Sequence, residues 1–491
     1  MTGLDTSILL FYVAGILAFS YRLHRRHPTQ DVFLAGRTMG WFPIGLSVMI
    51  TLFSAVNFVA FPAEIIEHGL YVWAALPVFV LVAIPVTRLF IPFFHRMQLT
   101  SVYAYLEHRF DRRVRLLAAG LFIFWRLCWM ATALYATAQL LSVVTGLSHT
   151  LLIIVAGGVA AFYTAIGGIR TVMWTDVIQF VILLTGIGGA FWIAWGAPGP
   201  GWNDFWAQAR ISGALQPFAP FDPEFLSWRP TVRITLWSGL IGTFVAFLTR
   251  YGADQMVVQR YFTARNLDAA VRGFWWNILA ALTALLLLSA LGLAIAAGPV
   301  DDTLPAMARL GAFAKGLPFG LTGLLAAGLL AATMSSIDSG LNSCLASWMT
   351  DFEGRTGGPA INWRQERRYR TLVAVLAVSA ILLAFVVGRA GDLFSIVNRV
   401  INGVGSPLLA LILLAMFSRA CNARGAWIGG WVGILASVTI SFSWDGLALH
   451  YYAVVNLLIT ILACRLAAAS TRRQDPVTPE QLTWMFSTNG T

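Results

Sequence analysis

The stretch Leu324–Ser343, LLAAGLLAATMSSIDSGLNS, reads as an apolar helix of membrane length that carries Ser335, Ser336, Asp338, Ser339, Asn342 and Ser343 within little more than two turns. An ionisable group at the bilayer centre costs roughly 3 kcal/mol or more, so an Asp beside a row of oxygen donors at that depth points to a cation site. The competing reading is close packing, because small hydroxyl residues also let membrane helices approach one another. Spacing alone leaves both open.

The surroundings set the class. Of 491 residues 58% are hydrophobic and 11% charged, with a mean hydropathy of +0.74. A soluble core cannot hide that much apolar surface, so the chain is expected to be an all-α polytopic membrane protein. Stretches of about 20 apolar residues, enough to cross a bilayer, divide it into thirteen expected spans. They lie near 5–22, 41–62, 71–94, 114–146, 150–168, 174–196, 233–253, 273–297, 317–350, 371–388, 394–417, 425–442 and 450–466.

Short loops rich in Arg and Lys stay cytoplasmic. With the N-terminus outside, the basic loops around Arg22–Arg37, Arg96–Arg115, Arg170, Arg260–Arg272, Arg355–Arg370, Arg419–Arg424 and Arg465–Arg473 all fall on the cytoplasmic side. The expected placement is a cell membrane, with the C-terminus cytoplasmic. The net charge of +11 is then topology and contact with anionic lipid, and it does not argue for nucleic acid. The first span has Asp5 before it and arginines after it, the reverse of a secretory leader, and is expected to be retained. Cys128, Cys344, Cys421 and Cys464 show no metal or disulfide spacing. No phosphate loop, cofactor fingerprint or nucleophile motif appears, so an enzyme is not expected. No stretch reads as a soluble module, which leaves one membrane domain over 1–491.

Three further spans carry polar residues at depth. The second places Ser47, Thr51, Ser54 and Asn57 near the middle and ends at Pro62. The sixth opens with Thr175, Asp176 and Gln179 after the Gly167–Gly168 turn, and helix capping alone would also favour that Asp. The seventh holds Thr249, Arg250, Tyr251, Gly252 and Asp254 close together. Interrupted helices are how many secondary transporters free backbone carbonyls for an ion at the midplane. Gly252 is read either as such a break or as ordinary packing. Arg250 either has a partner or snorkels to the headgroups.

Taken together, DVFLAGRTMGW (31–41), SAVNFVAFPAEIIEHG (54–69), GGIRTVMWTDVIQ (167–179), DQMVVQRYFTARN (254–266) and AATMSSIDSGLNS (331–343) resemble the sodium:solute symporter family. The resemblance implies a LeuT-like fold of two inverted five-helix repeats with broken helices, 41–196 and 233–417. One extra helix (5–22) precedes them, and two helices (425–466) and a cytoplasmic tail (467–491) follow. It implies Na+ bound by the carbonyls of Ile50, Phe53 and Ala332 and the hydroxyls of Ser335 and Ser336. Five neutral oxygens suit a hard monovalent ion. Asp176, with Asp338 and Ser339, aligns with a possible second cation site. An Asp at 338, where relatives often carry a hydroxyl, leaves three readings: a stronger cation site, an ion pair with an intramembrane Arg, or a protonated carboxyl with proton coupling.

The same resemblance places a solute beside Ser54, Asn57, Thr249, Arg250 and Tyr251. The aromatic pair of the glucose-type members is missing at 249–250, and TRYGADQMVVQRY is similar to the iodide, monocarboxylate and multivitamin branch. A small carboxylate is therefore the expected solute, with Arg250 as its partner. A neutral sugar, polyol or amino acid is the alternative, and would require Arg250 to pair with a protein carboxylate. An ion sensor or channel is a third reading, which the lack of a fused signalling domain disfavours.

Overall fold

The computed structural model describes residues 1–26, 33–165, 167–196, 202–298, 303–318, 320–354, 363–390, 393–444 and 446–470. Residues 31–32 of the first motif and 471–491 of the expected tail lie outside them. Among the described residues the chain is helical throughout, and extended pairing is limited to isolated bridges such as Met39 with Ala264. Among these residues ten helices are long and apolar enough to cross a membrane, and a bent pair, Trp41–Leu52 with Ala55–His68 at 59°, makes eleven.

The expected count of thirteen is therefore not reached by helices of spanning length. The two remaining segments are short. His149–Thr164 has 16 residues, which at about 1.5 Å each is about 24 Å against a hydrocarbon core of about 30 Å. The segment expected at 233–253 winds through Ser238–Gly242 and Thr243–Gly252, stops, and resumes as Gln255–Phe262.

Both breaks follow from local chemistry. Phe53 leaves helical geometry and Ser54 is extended, its hydroxyl accepting the Val56 N–H at 3.1 Å to start the next helix. Asp254 does the same work in the other broken segment, accepting the Met256 N–H at 3.0 Å. Gly252 is the last helical residue before that break, and its role is packing. A Cβ there would lie 2.7 Å from the Phe90 ring.

The central helix, Leu321–Ser347, is buried along nearly its whole length. Small residues permit this: a Cβ on Gly328 would come within 3.2 Å of the Leu183 backbone in the Ile169–Gly196 helix. The first helix lies against the top of the central helix, where Asp5 accepts the Gly323 N–H at 2.9 Å. Polar side chains are thereby gathered between the central helix and the two breaks.

Candidate cation and solute site

At the first break the chain stops bonding to itself. Phe53 N–H reaches Met49 O at 2.8 Å, but among the described residues no donor reaches the carbonyls of Ile50 or Phe53. The central helix faces this turn with two hydroxyls. Ser336 Oγ donates to Thr51 O at 3.1 Å and Ser335 Oγ donates to Asp176 Oδ1 at 2.5 Å. Each hydrogen is directed away, which leaves both oxygens their lone pairs. Ile50, Phe53, Ala332, Ser335 and Ser336 are all buried. The structure thus brings the five expected ligand residues to one helix pair.

The expected second cation position holds a protein cation. Arg260, assigned to a cytoplasmic loop by its sequence position, is fully buried. Its Nε donates to Ser47 Oγ at 2.6 Å and its Nη1 to Met256 O at 2.5 Å. Its Nη2 lies 2.7 Å from Thr51 Oγ1, 2.5 Å from Ser339 Oγ and 3.3 Å from Asp176 Oδ2. Ser47 in turn donates to Asp176 at 2.5 Å. Asp176 lies well inside the Ile169–Gly196 helix, so it is no N-terminal cap. Asp338 does not pair with an arginine among the described residues; it is held by the Tyr163 hydroxyl and by Ser339 Oγ at 3.2 Å.

Sequence reasoning missed Arg260 and Tyr163. The rule that basic residues mark cytoplasmic loops hid the first. A helix of eight residues beginning with a capping Asp would have been the signal that the chain is still inside the bundle there.

A second space lies beside the first. It is a small cavity of about 30 Å³ whose lining includes Phe53, Asn57, Phe79, Phe247, Arg250 and Tyr251. Ser54 and Thr249 do not share it: Ser54 caps its helix and Thr249 Oγ1 donates to Val245 O at 2.9 Å. Arg250 does not snorkel, being only 8% exposed. Its guanidinium stacks over Trp129 and Phe247, 5.3 and 5.8 Å from the ring centroids, and donates through Nη2 to Asn402 Oδ1 at 2.8 Å. Among the described residues it meets no carboxylate. The nearby Asp254 is engaged by Arg126, Nη2 to Oδ2 3.1 Å.

Asn402 is itself tied back. Its Nδ2 donates to Asn398 Oδ1 at 3.0 Å, and Asn398 donates to Phe394 O at 3.0 Å, along a π-helical turn Val397–Asn402. Such turns frequently mark functional segments. Phe394 lines a larger cavity of about 360 Å³ toward the His68 end of the bundle, beside the Glu64–Arg233 ion pair, whose contacts are 2.9 and 3.1 Å.

The family model for the sodium:solute symporter family matches residues 32–433. The chain belongs to the sodium:solute symporter family. It is 32% identical over 452 residues, 90% of this chain and 69% of the relative, to the sodium-dependent multivitamin transporter of Oryctolagus cuniculus. It is 29% identical over 478 residues, 94% of this chain and 92% of the relative, to the sodium/sialic acid symporter NanT of Aliivibrio fischeri. The solved structure of a substrate-bound, outward-open Na+-coupled sialic acid symporter superposes with a TM-score of 0.83 at 26% identity, covering 96% of this chain and 98% of that one. The nucleobase-cation-symport-1 family transporter Mhp1 shares the fold at 15% identity, with a TM-score of 0.58 over 90% of this chain and 95% of that one. The LeuT-like architecture expected from the motifs is therefore present. As a member of this symporter family the protein is a membrane transporter rather than an enzyme, with a small solute and sodium ions as its ligands.

Proposed function

We propose that this symporter imports a small organic carboxylate together with Na+, by alternating access around the first helix break. The observation that carries the solute class is Arg250, a buried guanidinium beside a cavity whose only protein acceptor among the described residues is one amide oxygen. A buried cation needs counter-charge, and a carboxylate fits a guanidinium through paired hydrogen bonds. The neutral-solute alternative requires a protein carboxylate on Arg250, and Asp254 is already committed to Arg126.

Na+ is read as held by the carbonyls of Ile50, Phe53 and Ala332 and the hydroxyls of Ser335 and Ser336. Coupling then has a simple physical source. Phe53 offers its carbonyl to the ion and also lines the solute cavity, so both ligands stabilise the same non-helical turn. The ion also places positive charge near an incoming anion. Residues 41–196 and 233–417 are read as the inverted repeats that rock about this turn, each contributing one broken helix. The N-terminus is placed outside, with the Glu64–Arg233 cavity as the outer approach. Asp176, Asp338 and Ser339 are read as a network held by Arg260, within which a second cation would have to share Asp176.

The test is uptake into proteoliposomes of acetate, lactate, pyruvate, iodide, glucose, myo-inositol and proline, with and without an inward sodium gradient. Sodium-driven uptake of a carboxylate is expected, abolished by Ser336→Ala and by Arg250→Ala. Sodium-driven uptake of a neutral solute that survives Arg250→Ala would overturn the solute class, and solute movement without gradient coupling would favour a channel.

A further inference from the structure

The small cavity holds one polar group that neither the motifs nor the cation site accounts for. Asn277, on the Leu267–Ala296 helix, is fully buried and lines the cavity. Ala281 and Leu285 line it too, four and eight residues further on, so one stripe of this helix forms the wall. Among the described residues neither Asn277 Oδ1 nor Nδ2 has a hydrogen-bond partner. The Tyr251 hydroxyl lies beside the amide without completing a bond of standard geometry. Buried amides are almost always paired, with protein or ordered water, so an amide that the protein leaves unpaired in a cavity wall is a bonding position for whatever fills the cavity.

We infer that Asn277 is a specificity-determining residue that reads a hydroxyl on the solute, which makes the transported carboxylate a hydroxy acid. This rests on the carboxylate reading of Arg250. The amide presents one acceptor and two donors, and a hydroxyl is the smallest uncharged solute group that both donates and accepts. A keto oxygen would use Nδ2 and leave Oδ1 unpaired. An ammonium would need counter-charge, and no Asp or Glu lines this cavity. Apart from Asn57 and Tyr251, the rest of the wall is Met, Leu, Phe and Ala, which suits a short hydrocarbon body. The solute thus has a carboxylate for Arg250 and a hydroxyl for Asn277 on a short hydrocarbon body.

The experiment compares sodium-driven uptake of propionate, 2-hydroxypropionate and 3-hydroxypropionate by the full chain in proteoliposomes. A site built to bond a hydroxyl rejects the analogue that lacks it, so one hydroxy acid should show a KM at least about tenfold below that of propionate. Asn277→Leu, close in shape and without the amide, should bring that ratio near one and leave propionate uptake within about threefold. Asn277→Ser, which keeps a donor and acceptor, should restore part of the preference. Equal KM values for the three acids in the unaltered chain overturn the inference while leaving the carboxylate reading intact. An equal loss for all three acids in Asn277→Leu and Asn277→Ser, with unchanged ratios, makes Asn277 structural. Uptake of neutral solutes alone removes the carboxylate reading and this inference with it.

Discussion

Arg260 and Arg250 stand on either side of one helix break, ten residues apart, and both are buried in the interior of a membrane protein. Arg260 spends its guanidinium on Ser47, Met256 O, Thr51, Ser339 and Asp176. Arg250 spends one Nη2 contact on Asn402 and rests its planar face on aromatic rings. The same side chain therefore does two kinds of work. A guanidinium whose donors are all matched by the protein holds helices together, since any ligand would have to displace existing bonds. A guanidinium left largely unmatched is matched by something that arrives.

The largest effect should come from breaking the matched one. Arg260→Met removes the counter-ion of a buried carboxylate and several hydrogen bonds at once, a loss of about 3–5 kcal/mol. Thermal melting of the detergent-solubilised protein should show a marked fall, with Arg260→Met plus Asp176→Asn recovering part of it because the orphaned charge is gone. An Arg260→Met protein that melts like the unaltered chain would mean that Arg260 holds no helices together and that the two arginines are not opposites.

Arg250→Gln should give the reverse pattern. Removing a buried charge that has no carboxylate partner leaves melting nearly unchanged or slightly higher. Carboxylate uptake, measured as the ratio of maximal rate to KM, should fall by about a hundredfold, or about 2.7 kcal/mol. Parallel losses of stability and transport would instead make Arg250 a second structural arginine.

Much of this was legible in the sequence, and the parts that were not have identifiable causes. The central helix announced itself because a row of hydroxyls and an Asp interrupt an apolar run. The first break was readable from polar residues at mid-depth. Hydropathy could not separate His149–Thr164 or the 233–253 segment from full spans, because a window of apolar residues does not report where a helix stops. Arg260 was misplaced for a related reason. A positive charge near a span end marks the cytoplasm only while the chain leaves the membrane there, and after Asp254 it continues buried inside the bundle. Asn277 gave no local signal at all. An Asn in an apolar helix is unremarkable until the opposite wall of its cavity is known.

The smallest expected effect concerns Asn402, which separates the two arginines most finely. Its amide oxygen occupies one Arg250 donor at 2.8 Å and its amide nitrogen ties that contact to Asn398 and so to Phe394 at the larger cavity. Asn402→Asp keeps the shape but hands Arg250 a fixed carboxylate, turning it toward the matched condition of Arg260. A transported carboxylate must then compete with a tethered one, so KM should rise about tenfold, or about 1.4 kcal/mol. The sodium dependence of transport should be unchanged, because among the described residues the Asn402 side chain bonds to Arg250 and Asn398 while Ser335 and Ser336 bond to Asp176 and Thr51. Asn402→Ala, which only removes a neutral acceptor from an already cationic site, should change KM by less than the Asp variant. If Asn402→Asp leaves KM for the carboxylate where it was, the carboxylate does not bind at Arg250, because a negative charge bonded to that guanidinium cannot be indifferent to an anion seeking the same donors.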